Sequence, residues 1–129
     1  ITLAAYLFSG CTKLKEVKIV GTIPSLSIGE GSFAYCSSLK TFSFDNVMSG
    51  SAEGYVTLSQ GSFFKCTTSL ANSENWELEF PSTLKSFPKS CFEGCTHFVP
   101  TFRYYWLFCF NWSICFLPVQ CYNKFKPPR

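Results

Sequence analysis

The stretch Phe33-Ala-Tyr-Cys36-Ser-Ser-Leu39-Lys-Thr-Phe42-Ser-Phe44 decides the fold, and its pattern is F-x-x-C-x-x-L-x-x-Φ-x-Φ, where Φ is apolar. The pattern recurs as Phe8-Ser-Gly-Cys11-Thr-Lys-Leu14-Lys-Glu-Val17-Lys-Ile19, and its first half recurs from Phe63 and from Phe92. The intervals between these Phe residues are 25, 30 and 29 positions. Self-similarity at such a period, with apolar residues at fixed offsets, predicts stacked units in a solenoid.

Each complete copy ends in a short segment in which apolar and polar residues alternate. Val17 and Ile19 point one way in the first copy, and Phe42 and Phe44 do so in the second. The third copy has the same alternation in residues 76–80. A period of two is typical of a strand with one buried face. Because the units stack, we predict a β-rich solenoid with these short strands along one wall.

Further apolar segments, at 23–28, 56–58 and 84–87, are expected to fill the opposite wall. Stretches 46–54 and 67–75 lengthen two of the units, and we predict that both are surface loops, which is where insertions in repeat proteins usually map. The predicted repeat core consists of one Phe and one Cys from each unit, with the Leu that follows in the first two: Phe8, Cys11, Leu14, Phe33, Cys36, Leu39, Phe63, Cys66, Phe92 and Cys95.

Composition excludes two classes of protein. Apolar residues make up 47% of the 129 residues and charged residues 15%, which excludes a polar, charged disordered chain. Residues 1–100 carry seven Lys against eight acidic residues, so the body of the chain has no electrostatic footprint for nucleic acid. The net positive charge of the chain belongs to residues 101–129, which hold four basic residues and no acidic one.

The cysteines follow the repeat. Cys11, Cys36, Cys66 and Cys95 occupy one fixed position, so we expect a column of thiols that pack as small apolar side chains. Disulfides between neighbouring copies are the alternative. The spacing between neighbouring strands, about 5 Å, falls within the Cα separation that a disulfide needs.

Catalytic and cofactor signals are weak. His97 is the one histidine of the chain, and Cys91-x-x-x-Cys95-x-His97 bears a faint likeness to a zinc cluster. Packing of the repeat already accounts for both cysteines, so we expect no catalytic residue, no metal and no cofactor. A metal-binding or redox protein built on these three residues is the competing hypothesis, and absence of zinc from the purified protein would exclude its metal-binding form.

The units are similar to the leucine-rich repeats of the BspA-like class. The best match is the stretch Phe80-Pro-Ser-Thr-Leu84-Lys-Ser-Phe87-Pro-Lys-Ser-Cys-Phe92-Glu-Gly-Cys95-Thr-His-Phe98-Val-Pro100, and the likeness covers about residues 3–100 in about four repeats. The unit around Phe63 departs from the pattern, because an insertion displaces its strand. The resemblance implies a curved, right-handed coil with a short-stranded parallel sheet on one wall. It also implies a non-catalytic protein-interaction module.

The resemblance also implies a place and a role. Members of this class are often displayed on the cell surface, where adhesion to a host or to other cells is the usual proposal. A cell-surface or extracellular location is therefore expected, with the cytoplasm as the alternative, and the expected partner is a protein or another host or cell-surface ligand. No binding residue is shared across the class, so none is transferred to this chain.

The candidate binding face is formed by the outward positions of the strands. Stacking would align them into columns, with mainly lysine in the first two units and glutamate in the third. The alternatives are an ordinary solvated face and a structural spacer with no ligand of its own. The candidate residues are Lys15, Glu16, Lys18, Lys40, Thr41, Ser43, Glu77 and Glu79.

The C-terminal segment 101–129 differs in character from the repeats. Residues 104–119 are almost all apolar, and basic residues follow them. A helix of 16 residues rises about 24 Å, which is short of a bilayer core, but counting to residue 122 brings the stretch close to the required length. Residues 104–122 are therefore a possible membrane anchor. A cap on the last unit and a non-native end are the alternatives.

Vesicle partitioning of the chain with and without residues 101–129, together with circular dichroism of both forms, separates these alternatives. An anchor predicts that the full chain partitions into the lipid, whereas the truncated chain stays soluble and rich in strands. A cap predicts that truncation unfolds the repeats, and that result would contradict the anchor.

Overall fold

A computed structural model describes residues 1–84 and 87–102 of the chain. These residues form nine short strands and no helix. We refer to the repeats that contain Phe8, Phe33, Phe63 and Phe92 as units 1 to 4. The strands are β1 (Thr2–Leu3), β2 (Glu16–Val17), β3 (Ser25–Ile28), β4 (Thr41–Phe42), β5 (Met48–Ser49), β6 (Ala52–Glu53), β7 (Tyr55–Leu58), β8 (Trp76–Phe80) and β9 (Phe98–Phe102).

The strands pair mainly in parallel, and the pairing follows the repeat. One sheet has the order β1-β3-β7, while β2 pairs with β4 and β8 with β9. Thr2 pairs with Ser27 in the first sheet and Glu16 pairs with Thr41 in the second, so both walls keep an offset of 25 residues between units 1 and 2. That offset equals the interval between their Phe residues. The wall that the sequence placed opposite the candidate face is therefore also a parallel sheet over units 1 to 3.

The segment that carries each Phe joins neighbouring units through the backbone. The backbone N–H of Phe8 donates to the carbonyl oxygen of Ser32. In the same way Phe33 donates to the carbonyl of Ser62 and Phe63 to the carbonyl of Cys91, and all three distances between nitrogen and oxygen are 2.8 Å. Each acceptor is the residue immediately before the Phe of the next unit. The same backbone contact therefore recurs at all three junctions between the units.

Left-handed residues hold each Phe in place. Around Phe33, φ is +58° at Gly31 and +61° at Tyr35, two residues before and two residues after the ring. The same two positions have positive φ in every unit, and Tyr6 occupies the first of them in unit 1. A left-handed conformation costs a residue other than glycine about 1–2 kcal/mol. The ring of Tyr6 lies where a Cβ on Gly31 would have to be, so glycine also makes room for the neighbouring unit.

The Phe rings form a column through the core. Ring centroids are 5.3 Å apart for Phe8 and Phe33, 5.3 Å for Phe33 and Phe63, and 5.1 Å for Phe63 and Phe92. The rings of units 2 to 4 are fully buried, whereas Phe8 is 37% exposed, because no described residue covers its outer side. Cys11 in the same unit is also exposed, and Leu14 is half-buried. The other seven residues of the predicted core are buried.

The two insertions take different forms. Stretch 46–54 contains an antiparallel hairpin of β5 and β6, in which Met48 pairs with Glu53. The carboxylate of Glu53 then accepts hydrogen bonds from the N–H of Ser82, at 2.8 Å, and from its hydroxyl, at 2.9 Å. Stretch 67–75 consists of turns and irregular backbone. The hairpin is therefore tied to the rest of the fold.

The predicted boundary at residue 100 falls inside β9, which continues to Phe102. The interpretations of residues 103–129, including the possible anchor at 104–122, lie outside the described residues. Among the described residues, no helix has the length and apolar character needed to cross a bilayer.

We predict that Phe63→Ala lowers the free energy of unfolding by about 3–5 kcal/mol, because it removes a fully buried ring from the centre of the column. Phe8→Ala is the matched control at the exposed end and should cost less than half of that. Urea denaturation followed by circular dichroism measures both. Equal losses for the two variants would show that the burial of each ring in the column does not determine its contribution to stability.

Candidate interaction face

All eight candidate side chains are exposed. In β8 the alternation is complete, since Glu77 and Glu79 are exposed while Trp76, Leu78 and Phe80 are buried. We call the outward surface of β2, β4, β8 and their flanking residues the interaction face. It contains Lys15, Glu16, Lys18, Lys40, Thr41, Ser43, Glu77 and Glu79.

Units 1 and 2 form a continuous part of this face. The pairing of β2 with β4 places Glu16 beside Thr41. Glu16 also forms an exposed ion pair with Lys18, at 3.4 Å between Oε1 and Nζ. Such exposed pairs add little to stability, so both side chains are available to a partner at little energetic cost. The β8 strand belongs to a separate sheet with β9, so the strand pairing, but not the surface, is interrupted between units 2 and 3.

The insertion at 67–75 reaches the interaction face through Glu74. Its Oε2 lies 2.6 Å from Nζ of Lys40, and its Oε1 accepts a hydrogen bond from the N–H of Ala71 at 3.0 Å. Both contacts lower the pKa of Glu74, and the hydrogen bond from Lys40 contributes most. Lys40 is therefore paired with the chain's own loop. The sequence did not indicate this pairing, because the two residues are 34 positions apart and Glu74 lies outside the repeat pattern.

An acidic depression occupies the other part of the face. A shallow cavity of about 360 Å³ is lined by Phe42, Ser43, Asp45, Glu77 and Glu79. It brings together three of the candidates, from the segment after β4 and from β8. Asp45 was missing from the candidates, although it stands two positions after Ser43, where the outward alternation continues. The depression therefore gathers three carboxylates, those of Asp45, Glu77 and Glu79.

The repeat cysteines form a ladder of thiol hydrogen bonds. The Sγ of Cys36 donates to the carbonyl of Phe8 at 3.2 Å, and the Sγ of Cys66 donates to that of Phe33 at 2.8 Å. Cys95 repeats the contact with Phe63 at 3.0 Å. The five cysteines of the described residues are thiols and not disulfides. Burial raises the pKa of Cys66, so this thiol stays protonated and unreactive.

The Cys91, Cys95 and His97 group is occupied by packing contacts. Both cysteines are fully buried, and Cys95 donates to a backbone carbonyl. The Nδ1 of His97 lies 3.1 Å from the carbonyl oxygen of Thr67 and 3.0 Å from the hydroxyl of Thr96. A carbonyl can only accept, so Nδ1 carries the proton if that bond forms. Across residues 1–84 and 87–102, no cluster of three or more His, Cys, Asp or Glu could hold a metal ion.

Comparison with known proteins gives one match. The model of the BspA type leucine rich repeat region matches residues 1–102 in six copies, whereas the Phe spacing divides nearly the same range into four units. No curated protein matches this chain, and no solved structure does.

We predict that Glu74 titrates below the usual range of a glutamate and that Lys40→Ala raises its pKa. Because the folded pKa is the lowered one, the stabilisation from this pair is present above the usual Glu pKa and is lost as the pH falls through the lowered value. Carboxyl-detected NMR titration measures the shift, with Lys65→Ala as a control, because Lys65 is not among the groups that shift the pKa of Glu74. An unchanged pKa in Lys40→Ala would show that the pair does not form.

Proposed function

Because the chain belongs to the BspA-type leucine-rich repeat family, we propose that it is a protein-interaction module that binds through the interaction face. The family consists in general of non-enzymatic repeats that mediate protein interactions and are often surface-associated. We further propose that the units continue as a right-handed solenoid and that the protein acts in adhesion or recognition at the cell surface.

One observation carries the choice of face. All eight candidate side chains are exposed, while the residues between Glu77 and Glu79 and on either side of them along β8 are buried. A face built on strands whose inner side packs against the core is rigid, so it can present side chains at low entropic cost to a partner. The face also carries both signs of charge, which favours selection among partners by electrostatic complementarity.

The second candidate function is a structural spacer. Its support is that Lys18 and Lys40 both form ion pairs within the chain. A face whose charges pair with one another is what a solvated wall needs, and it requires no ligand. The two functions differ in whether the identity of the exposed lysines affects binding.

The deciding experiment compares two triple variants on an array of immobilised extracellular-matrix proteins. Lys15→Ala, Lys18→Ala and Lys40→Ala together remove the lysines of the interaction face. We expect the affinity for the bound matrix protein to fall by roughly tenfold or more, since the loss of even one well-placed charge contact can cost that much.

The control variant combines Lys13→Ala, Lys65→Ala and Lys89→Ala, which removes the same charge from exposed turn residues. It should bind like the unchanged protein. An equal loss in both variants would indicate only a dependence on net charge, which would contradict the proposed face. No effect of either variant, or no binding to the array at all, would favour the spacer.

A further inference from the structure

We propose that the turns that carry the Phe residues form a binding site for a small quaternary ammonium compound of the choline type. The cationic group of this ligand lies against the rings of Tyr35 and Phe64 and near the carboxylate of Glu30, all of which line one cavity. The cavity shares no residue with the interaction face, so the site does not depend on the proposed function.

The cavity opens between the units because two of them have glycine at one position. Two residues before the Phe, φ is positive in every unit, and units 2 and 3 have Gly31 and Gly61 there. The same position holds Tyr6 in unit 1 and Ser90 in unit 4, and all four residues line the cavity. The ring of Tyr6 lies over Gly31, whereas the space at Gly61 is open, since a Cβ there would have its nearest contact at 3.9 Å. The volume is about 280 Å³, close to the lower end of the range for small-molecule sites, about 300 Å³.

Two aromatic rings form a corner in this cavity. The ring centroids of Tyr35 and Phe64 are 5.5 Å apart, and the ring planes stand at 82° to each other. A compact cation can lie against both rings of such a corner. Tyr35 is 50% exposed. Units 2 and 3, which supply the two rings, have described units on both sides, so this exposure does not come from an end of the array.

The backbone holds Tyr35 in a conformation that glycine adopts more easily. Two residues after the Phe, φ is positive in every unit, and units 1 and 4 have glycine there. Units 2 and 3 have Tyr35 and Lys65 instead. A left-handed conformation is unfavourable for both residues, and such positions concentrate at binding sites. Both side chains contact Phe64, Tyr35 through its ring and Lys65 through its ammonium group.

The charge of the cavity favours a cation. Among the described residues that line it, Glu30 is the only charged one. The face of an aromatic ring attracts a cation within about 6 Å of its centroid. The Nζ of Lys65 lies 5.4 Å from the centroid of Phe64, so this ring already accepts a positive charge. A quaternary ammonium group suits a wall of rings because it has no N–H that must find an acceptor. Ser9 and Gln60 also line the cavity and can form hydrogen bonds with a hydroxyl group of the ligand.

Titration of the full chain with choline, followed by the NMR signals of the aromatic side chains, tests the proposal. We expect saturable binding. The neutral isostere of choline, in which carbon replaces the charged nitrogen, should bind more weakly by about threefold or more. Equal binding of the two compounds, or no binding of choline, would overturn the proposal. Phosphatidylcholine vesicles should not displace choline, and displacement would assign the site to a lipid surface instead of a small molecule.

One pair of variants tests the aromatic corner. Tyr35→Leu removes a ring but keeps an apolar side chain, and it should weaken the binding of choline by about threefold or more. Tyr55→Leu is the matched control, because Tyr55 is an exposed tyrosine that does not line the cavity. It should bind choline like the unchanged protein. Equal losses in the two variants would contradict the assigned site.

A second pair of variants tests the charge and decides the matter if Tyr35→Leu fails to fold. Glu30→Gln removes the carboxylate of the cavity and should weaken the binding of choline by about twofold or more. Lys65→Gln removes a competing cation from the ring of Phe64 and should strengthen the binding. The neutral isostere should respond to neither change. Unchanged binding of choline in both variants, or changes in the same direction, would contradict a site for cations.

Discussion

The fold depends on one backbone hydrogen bond that recurs between units. The N–H of the Phe in one unit donates to the carbonyl of the residue that precedes the Phe of the next unit. It recurs at 2.8 Å at three junctions and fixes the register between neighbouring units. Once that register is set, the rings of Phe33 and Phe63 must lie one above the other, at 5.3 Å, and the thiols must fall into line beneath the same backbone. The parallel sheets on both walls then follow with the same offset. Burial of the aromatic column supplies the free energy, and the backbone contact decides which rings meet.

The same register creates the interaction face and limits it. Equivalent outward residues of units 1 and 2 become neighbours, as Glu16 and Thr41 do. The insertion at 67–75 delays the strand of unit 3, so the carboxylates of Glu77 and Glu79 line a depression instead of extending the lysine columns. The insertion also engages Lys40 through Glu74. A regular array would present a uniform wall, whereas the irregular unit divides this one into a basic and an acidic part.

The repeat pattern was enough to predict the short strands, the buried Phe residues of units 2 to 4 and the exposed positions of the strands, because each depends on a period in the sequence. The parallel pairing of the strands was an implication of the family resemblance. The pattern did not predict contacts made outside that period. Glu74 contacts Lys40, which is 34 positions away in the sequence, and the residues next to either one do not indicate that the two side chains meet. Tyr35 adopts a left-handed conformation that sequence reasoning assigns to glycine, because the neighbouring units hold the backbone on both sides. Asp45 could have been found by extending the alternation one step beyond Ser43.

The close approach of Tyr6 to Gly31 has a consequence for how such an array can change during evolution. Duplication of a whole unit preserves the backbone register, because the offset equals the unit length. It does not preserve this contact, since a second copy of unit 1 would set a tyrosine where glycine now makes room. The units are therefore not interchangeable modules. Their order is constrained by close contacts at the junctions, such as that of Tyr6 with Gly31. Recombination that changes the order of the units must keep the two residues of such a contact together or replace one of them.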